Sequence, residues 1–470
     1  MRDFAVLTAL VVSLARPAVA QSQGRTDTLA LTLEAAVRRA LDQGTEMRVA
    51  RAQLMDASGQ VRQAFADALP QVNGSLVYTR QFASIYQTAN TGSGGDTSIT
   101  NLFKNSPFGA PNSWNAQFTA SQVLFSRKVG AGLKAARAVR EGTTAQRDET
   151  AAQTAYQVKR AYLQVQYASR VLEVSNAGLD EARRELHQVQ LYQQAGTRAE
   201  YDLLRAQVDA ANQEPLVVQA KNDCDLALLE FKRLVNIPAD QPVALTTSLE
   251  SPDGTIPAVA DEDLGLPERP ALAAAEAAVQ ARQQLLNAAI GGRWPTLTVS
   301  TTFSEQAFPQ QVSPLSSTFR RNWNAAVTLS LPIFTGLRTE GSIEQARAQL
   351  DQARAQRDQT KQQVDLDLAQ ARAELGRTRS LLAARRETVR QAQRAQHLAS
   401  VRYANGLSTQ LEVADARLLA QRSEVNEAQT RLDYLLALAQ LERALGRPVP
   451  VERRPVQQAA RLTPEREQQQ

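Results

Sequence analysis

The sequence is poor in the side chains that most enzymes and metal sites use. Its 470 residues contain a single cysteine and two histidines. A zinc site takes about four Cys, His or carboxylate ligands, and neither His187 nor Cys224 has such partners nearby in the sequence. The chain also lacks a phosphate-binding loop, a dinucleotide-binding glycine motif, a GxSxG motif and an HExxH motif. We therefore expect no catalytic residue, no metal site and no cofactor.

Aromatic residues are scarce as well, at 5% of the chain, although 43% of the residues are hydrophobic. Alanine, leucine and valine must therefore supply most of the apolar surface. Charged residues are numerous and nearly balanced, with 53 Lys and Arg against 48 Asp and Glu. Because the basic residues are spread along the chain rather than gathered in one block, the sequence does not indicate a nucleic-acid partner. The pattern is typical of helices whose faces meet water.

The first twenty residues have the pattern of a secretory signal peptide. An apolar run from Phe4 to Leu14 precedes Ala18-Val19-Ala20, which fits cleavage before Gln21. The alternative is a buried N-terminal helix. The mature chain would begin with glutamine rather than cysteine, which excludes lipid modification at that position. No later segment reaches the roughly 18–20 apolar residues of a membrane-spanning helix, so any membrane crossing would have to use strands.

The sequence repeats itself at a separation of 210 residues. The segment 187–207 resembles 397–417, so that Gly196 matches Gly406. A constant separation over more than a hundred residues indicates two structurally equivalent halves. We predict a first repeat over 21–235, a proline-rich irregular connector over 236–270, a second repeat over 271–450 and a disordered tail over 451–470.

Each predicted repeat has the same order of elements. A helix ends at Pro70 or Pro295, because proline stops helices, and two strands and a very long helix follow before a tight turn into another helix. The predicted helices cover about 31–68, 130–193 and 199–235 in the first repeat, and 271–293, 339–403 and 408–445 in the second.

The two long helices have the spacing of coiled coils. Apolar residues recur every seven positions, which produces a seam that packs against another helix. At 1.5 Å per residue, a roughly 64-residue helix is about 95 Å long, so we expect an elongated molecule. The seam residues are Val158, Val165, Leu172, Leu179 and Leu186 in the first repeat, and Leu368, Leu375, Leu382 and Val389 in the second.

Four segments alternate between apolar and polar residues, as strands do. A period of two with one polar face fits either a half-buried soluble sheet or a transmembrane barrel. Four strands cannot close a barrel, and open edges are not tolerated in lipid, so a barrel would need several copies of the chain; a trimer gives twelve strands. The segments cover about 72–86, 113–126, 296–308 and 321–334, and their apolar side includes Trp114, Phe118, Leu297, Val299, Phe303, Trp323, Val327 and Leu329.

Several motifs together resemble the TolC-type outer membrane efflux proteins. They are LTLEAAVRRALDQG at 31–44, ALPQV at 68–72, ERPALAAAEAAV at 268–279, LSLPIFTGLR at 329–338 and YANGLSTQLEVADAR at 403–417. The resemblance covers about 28–448, with the motifs in family order in both halves. One branch of this family carries a lipidated N-terminal cysteine, and this sequence departs from it.

The resemblance implies a mostly helical fold with a small β part. Long coiled-coil helices would form a periplasmic α-barrel tunnel, and four strands per protomer would contribute to a transmembrane β-barrel in the outer membrane. The homotrimer would export small molecules or polypeptides, together with a periplasmic adaptor protein and an inner-membrane pump, without catalytic activity. The eight apolar strand residues would face lipid, and the loops 87–112 and 305–320 would face the exterior.

By the same resemblance, the two turns would form the periplasmic tips that contact the adaptor. Glycine permits the positive φ of a sharp reversal, and the alternative is that the turn residues serve the reversal alone. The predicted tip residues are Ala195, Gly196, Thr197, Asn405, Gly406, Leu407 and Ser408.

The carboxylates after the second turn correspond to those that line the closed entrance in the family. They are Glu412 and Asp415, which three-fold symmetry would make into rings of negative charge that attract cations. In the first repeat, Asp202 occupies the position that matches Glu412, whereas the position that matches Asp415 holds Arg205. We hypothesise that Arg198 or Arg205 pairs with these carboxylates and helps to hold the tips shut. The alternative is a set of charges on a solvated helix.

Two other classes of protein compete with the channel. A periplasmic coiled-coil scaffold or adaptor would explain the signal peptide and the heptads, but it leaves the duplicated strand pairs without a reason. An exported enzyme is disfavoured by the missing nucleophile and metal motifs. His187 and His397 occupy equivalent positions, where a metal ring competes with ordinary solvated or seam histidines, and for Cys224 buried packing is favoured.

Overall fold

The computed structural model describes residues 28–83, 110–248, 269–309, 311–314 and 318–446. The predicted signal peptide, the tail, nearly all of the loop 87–112 and most of the connector lie outside these described residues. The chain is mostly helical with a small strand part, as the sequence predicted. In chain order the elements are β1 Leu29–Leu31, α1 Leu33–Gln43, α2 Thr45–Ala66, β2 Gln71–Arg80, β3 Asn112–Phe125, α3 Arg127–Gln194, α4 Glu200–Leu234, β4 Val243–Leu245, α5 Pro270–Gly291, β5 Thr296–Ala307, β6 Arg320–Ser330, α6 Arg338–Ala404 and α7 Gln410–Leu445.

The prediction of one continuous helix over 31–68 is wrong. The chain forms β1 and then two helices, α1 and α2, which meet at Gly44 in an extended conformation (φ −62°, ψ 144°). A Cβ atom at Gly44 would lie 2.2 Å from the Ala40 carbonyl oxygen, so this break requires glycine. Thr32 caps α1 by accepting a hydrogen bond from the Ala35 N–H.

The connector is not entirely irregular either. Its strand β4 pairs in parallel with β1, with Ala30 opposite Ala244. Beneath this small sheet, the buried Tyr162 of α3 donates its hydroxyl proton to the Leu31 carbonyl (3.2 Å) and accepts from the Thr247 N–H (2.8 Å). The connector therefore fastens the start of the described chain to the first long helix.

The long helices form one layer. Helix α3 has 68 residues and α6 has 67, so each is about 100 Å long at 1.5 Å per residue. Helix α3 packs against α4 and α7, and α7 packs against α6, whereas α4 and α7 barely touch. The layer therefore runs in the order α4, α3, α7, α6, with α4 and α6 at its two ends. Among the predicted seam residues, Val158, Val165, Leu179, Leu368, Leu375 and Leu382 are buried.

The four longer strands form one antiparallel sheet in the order β2-β3-β5-β6. Strand β2 ends at Arg80 and β6 at Ser330, so both are shorter than the sequence predicted. Every residue of the two edge strands is exposed, whereas the central strands are mostly half-buried. Among the residues that the structure describes, the sheet therefore ends in two open edges within a single chain.

Candidate functional site

The two helical turns have the same geometry. Gly196 and Gly406 have φ angles of +70° and +74°, a left-handed conformation that favours glycine. The N–H of the next residue reaches back across the turn in each case: Thr197 donates to the Tyr192 carbonyl (3.0 Å), and Leu407 donates to the Arg402 carbonyl (2.9 Å). This is the Schellman arrangement of helix ends. Both reversals therefore depend on glycine for their backbone conformation.

These turns lie at one end of the helical layer, because α3 and α6 both run toward it and α4 and α7 both return from it. The two hairpins meet there around a buried apolar cluster of Val189, Ala206, Tyr403 and Val413. We call this end the tip region. It contains all the residues that the sequence predicted for the adaptor contact and the entrance.

The predicted entrance carboxylates begin α7. Glu412 accepts a hydrogen bond from the Ser408 hydroxyl (2.9 Å), while Thr409 caps the helix by accepting from the Glu412 N–H (3.3 Å). Asp415 and Arg205 line an open cavity of about 680 Å³ between α4 and α7. Both residues line this cavity, but they form no ion pair with each other in the described part of the chain.

The two candidate latch arginines have other partners within the chain. Arg198 donates to the Tyr403 carbonyl (3.1 Å) and lies 4.6 Å from the centre of its ring. Arg205 donates to the Tyr201 hydroxyl at 3.4 Å. Among the described residues neither arginine pairs with Glu412 or Asp415, so the hypothesised latch is not formed within one protomer.

The tip region also contains a buried ion cluster that the sequence did not reveal. Arg417 on α7 donates from Nη1 to Oε2 of Glu185 on α3 (2.8 Å) and from Nη2 to Asp209 on α4. The Arg417 side chain is 3% exposed. A comparison of the repeats could have singled it out, because the matching position of the first half holds Gln207. We call Arg417, Glu185 and Asp209 the tip cluster.

The sheet collects its apolar side chains on one face. Phe118 lies opposite Phe303, which lies opposite Trp323, and directly opposite residues share a face with their i±2 neighbours. The opposite face carries polar rows such as Thr119, Thr302 and Asn324. All eight strand residues predicted to face lipid share the apolar face: Trp114, Phe118, Leu297, Val299, Phe303, Trp323, Val327 and Leu329.

This apolar face is exposed within one chain. Phe118, Trp323, Val327 and Leu329 are each more than half exposed. Toward the loop end the face becomes polar, where Arg321 pairs with Glu305 at 2.7 Å. A soluble protein rarely leaves a contiguous apolar patch of this kind uncovered, and such patches mark surfaces that contact a membrane or another protein.

In the described ranges, no helix combines the length and the apolar character needed to cross a membrane. The same part of the chain contains no group of three or more His, Cys, Asp or Glu residues suited to a metal ion. Cys224 is half-buried, and burial raises the pKa of its thiol.

A family model described as outer membrane efflux protein matches residues 36–236 and 263–447. Among curated proteins, the chain is 24% identical to the pyoverdine export outer membrane protein OpmQ of Pseudomonas aeruginosa, over 88% of this chain and 85% of OpmQ. It is 27% identical to the solvent efflux pump outer membrane protein SrpC of Pseudomonas putida, over 59% of this chain and 58% of SrpC.

Solved structures of outer membrane proteins have a similar fold. The CmeC outer membrane channel of Campylobacter jejuni superposes with a TM-score of 0.73 at 16% identity, covering 88% of this chain and 85% of CmeC. The outer membrane protein VceC of Vibrio cholerae superposes with a TM-score of 0.71 at 20% identity, covering 88% and 96% of the two chains.

Proposed function

The chain belongs to the outer membrane efflux protein family, and from this premise we propose that it forms a homotrimeric channel-tunnel. The trimer spans the outer membrane and extends into the periplasm. It conducts small molecules or polypeptides outward and catalyses no reaction. The signal peptide at 1–20 delivers the chain to the periplasm, without lipidation of the mature N-terminus.

The sheet with its two open edges carries this proposal. Strands β2 and β6 run antiparallel to each other, because the four strands alternate in direction. The β6 edge of one copy can therefore pair with the β2 edge of the next in the same antiparallel manner. Three copies supply twelve strands and close a barrel, which removes every edge and turns the apolar face toward lipid.

The helical layer supports the same assembly. It ends in α4 on one side and α6 on the other, so copies that join through their sheets also bring α6 of one copy toward α4 of the next. The result is a closed cylinder of helices below the barrel. Its walls meet water on both faces, which agrees with the balanced charge of the sequence.

The tip region would serve the partners and the gate. We assign the contact with a periplasmic adaptor, and through it with an inner-membrane pump, to the two turns. The name of SrpC, a solvent efflux pump outer membrane protein, agrees with such an assembly. Glu412 and Asp415 would ring the entrance in the trimer, with Asp202 nearby, and Arg198 or Arg205 would reach carboxylates of a neighbouring copy.

A pair of adjacent variants tests the assembly. Val327 is on the apolar face of β6, and Thr328 is on the polar face of the same strand. An arginine on the lipid face costs about 2–4 kcal/mol at the bilayer midplane. We expect Val327→Arg to abolish recovery of a detergent-stable trimer from the outer membrane, and Thr328→Arg to preserve it.

Planar-bilayer recordings of the wild-type trimer complete the test, because a channel gives discrete conductance steps. Wild-type protein that washes off the membrane as a soluble species would overturn the channel and favour a periplasmic scaffold. Equal effects of the two arginine variants would contradict the assignment of the faces.

A further inference from the structure

The tip cluster is the place where three helices and both hairpins are tied together. Arg417 reaches from α7 to Glu185 on α3 and to Asp209 on α4. Helices α4 and α7 otherwise barely touch, and the open cavity between them has Arg417 and Asp209 in its lining. The guanidinium therefore bridges a gap that side-chain packing leaves unfilled.

The charges of this cluster do not balance, since one guanidinium serves two carboxylates. Burial has the largest influence on the pKa of Glu185 and raises it. The charge of Arg417 and the neighbouring Gln410 amide oppose that rise, whereas the charges of Asp209 and Glu181 add to it. The pKa lies above its ordinary value, so the closed tip disfavours ionised Glu185 relative to water; loss of hydration is the main cause of this penalty, and the surplus carboxylate adds to it.

The hydrogen bonds of the cluster are incomplete as well. Oε1 of Glu185, Nε of Arg417 and both amide atoms of the neighbouring Gln410 are buried without a hydrogen-bond partner among the described residues. Buried polar atoms normally have partners, and each orphan weakens the closed arrangement relative to one that admits water.

We propose that Arg417 is a positioning residue of the periplasmic entrance, which clamps the α6–α7 hairpin onto the α3–α4 hairpin through two carboxylates that it only partly compensates. The clamp sets the position of Glu412 and Asp415, which precede Arg417 on α7. Its surplus charge makes it the point at which the hairpins part when the entrance opens. This inference rests on the proposed channel function.

Two substitutions in the tip cluster are expected to have opposite effects on the stability of the closed entrance. Arg417→Met leaves the buried Glu185 and the half-buried Asp209 without their cation, and the two hairpins separate so that water can reach them. Glu185→Gln removes the surplus charge and leaves Arg417 paired with Asp209, so the closed form becomes more stable. A residue with a merely structural role would give destabilisation in both cases.

The readout is a cysteine at the buried position where the hairpins meet. In a Cys224→Ser background, Ala206→Cys reports on the tip, because Ala206 is 2% exposed within the apolar cluster of the tip region. Ala437→Cys is the internal control, since Ala437 is 4% exposed and belongs to a different apolar cluster. The rate of thiol labelling is measured on the purified trimer, alongside its single-channel conductance.

We expect Arg417→Met to speed labelling at position 206 by at least about tenfold, a change of about 1.4 kcal/mol, and to raise conductance. Glu185→Gln slows labelling at position 206 and lowers conductance. Labelling at position 437 stays constant in both. Arg269→Met, at another buried arginine far from the tips, leaves labelling at position 206 unchanged.

If Arg417→Met yields no trimer, Arg417→Lys is used instead, because lysine keeps the charge but cannot make the bidentate contact. In this variant the labelling rate should rise at position 206 and stay constant at position 437. Unchanged labelling in these variants, or a change of the same sign in Arg417→Met and Glu185→Gln, overturns the clamp. Absence of wild-type conductance would instead overturn the channel itself.

Discussion

Two buried arginines hold pairs of carboxylates in this chain, and they differ in how well the charges match. In the tip cluster Arg417 alone serves Glu185 and Asp209. Near the middle of the long helices, Arg269 pairs with Glu149 on α3 at 3.1 Å and with Asp367 on α6.

The second group, which we call the mid-helix cluster, has one cation more. Arg443 of α7 lies 3.8 Å from Asp367, so Arg269 and Arg443 face two carboxylates. Burial opposes ionisation of Asp367, but hydrogen bonds from Arg269 and Gln363 and the charges of both arginines outweigh it, and the pKa of Asp367 lies below its ordinary value. The pKa of Glu185 moves the opposite way. Glu185 is more deeply buried than Asp367 and has fewer cations beside it, and both differences make the tip cluster the weaker joint.

The largest expected effect comes from breaking the balanced cluster. Arg269→Met leaves Glu149 and Asp367 buried with only the more distant Arg443, and loss of one partner of a buried pair costs about 3–5 kcal/mol. We expect a clear fall in the melting temperature of the purified protein. Arg293→Met is the control, because Arg293 and Glu340 form an exposed pair at 3.5 Å, worth about 0–1 kcal/mol. Equal melting temperatures for the two variants would refute the distinction.

The second prediction concerns pH and has opposite signs for the two clusters. Asp367 has a lowered pKa, so its stabilising contribution is present above the ordinary aspartate value of about 3.9 and is lost as the pH falls through the lowered value. Glu185 has a raised pKa, so its ionised form weakens the closed tip, and that penalty disappears as the pH falls through the raised value. On acidification from neutral pH, the tip therefore tightens before the mid-helix cluster fails.

In the described part of the chain, Glu185 is influenced by Arg417 and Gln410 on α7, by Asp209 on α4 and by Glu181 on α3 itself, and Tyr403 of α6 lies close to it. The ratio of labelling at position 206 to that at position 437 checks the prediction, since the ratio cancels the intrinsic pH dependence of the thiol. The ratio should fall on acidification, and Glu185→Gln should make it independent of pH. A rising ratio would reverse the assigned sign.

Much of this fold could be predicted from sequence because its signals are local. Gly196 and Gly406 mark reversals that need positive φ, and the alternation of strand residues assigns the apolar face without knowledge of the pairing. The break at Gly44 escaped because its cause is a close approach to the Ala40 carbonyl, which exists only once the backbone has turned.

The tip cluster could not be predicted, because its burial depends on the packing of α7 against α3 and α4, which lie about 200 residues earlier in the sequence. Glu185 and Asp209 are indistinguishable in the sequence from exposed helix charges such as Glu181. The same reason explains why the sequence suggests Arg198 or Arg205 for the latch, although their partners within the chain are the Tyr403 carbonyl and the Tyr201 hydroxyl. The repeat mismatch between Gln207 and Arg417 was the one available signal.

A smaller effect is expected when the tip cluster receives the cation that it lacks. Gln410 is buried beside it with an unpartnered amide, so Gln410→Lys would make the tip resemble the mid-helix cluster. A hydrogen bond to a charged group contributes about 1.5–3 kcal/mol, and labelling at position 206 should slow accordingly. Gln410→Met, which adds no charge, should not slow it. If both substitutions act alike, packing rather than charge limits the clamp.

The smallest effect is expected at a solvent-exposed ion pair between α3 and α4, two of the three helices that the tip cluster also joins. Arg183 on α3 and Glu214 on α4 lie 2.9 Å apart, and both side chains are more than half exposed. Since solvent screens such a pair, Arg183→Ala should cost less than about 1 kcal/mol and leave labelling at position 206 unchanged. A loss as large as that of Arg417→Met would mean that any cation between α3 and α4 holds the tip, and burial would no longer distinguish the tip cluster from this exposed pair.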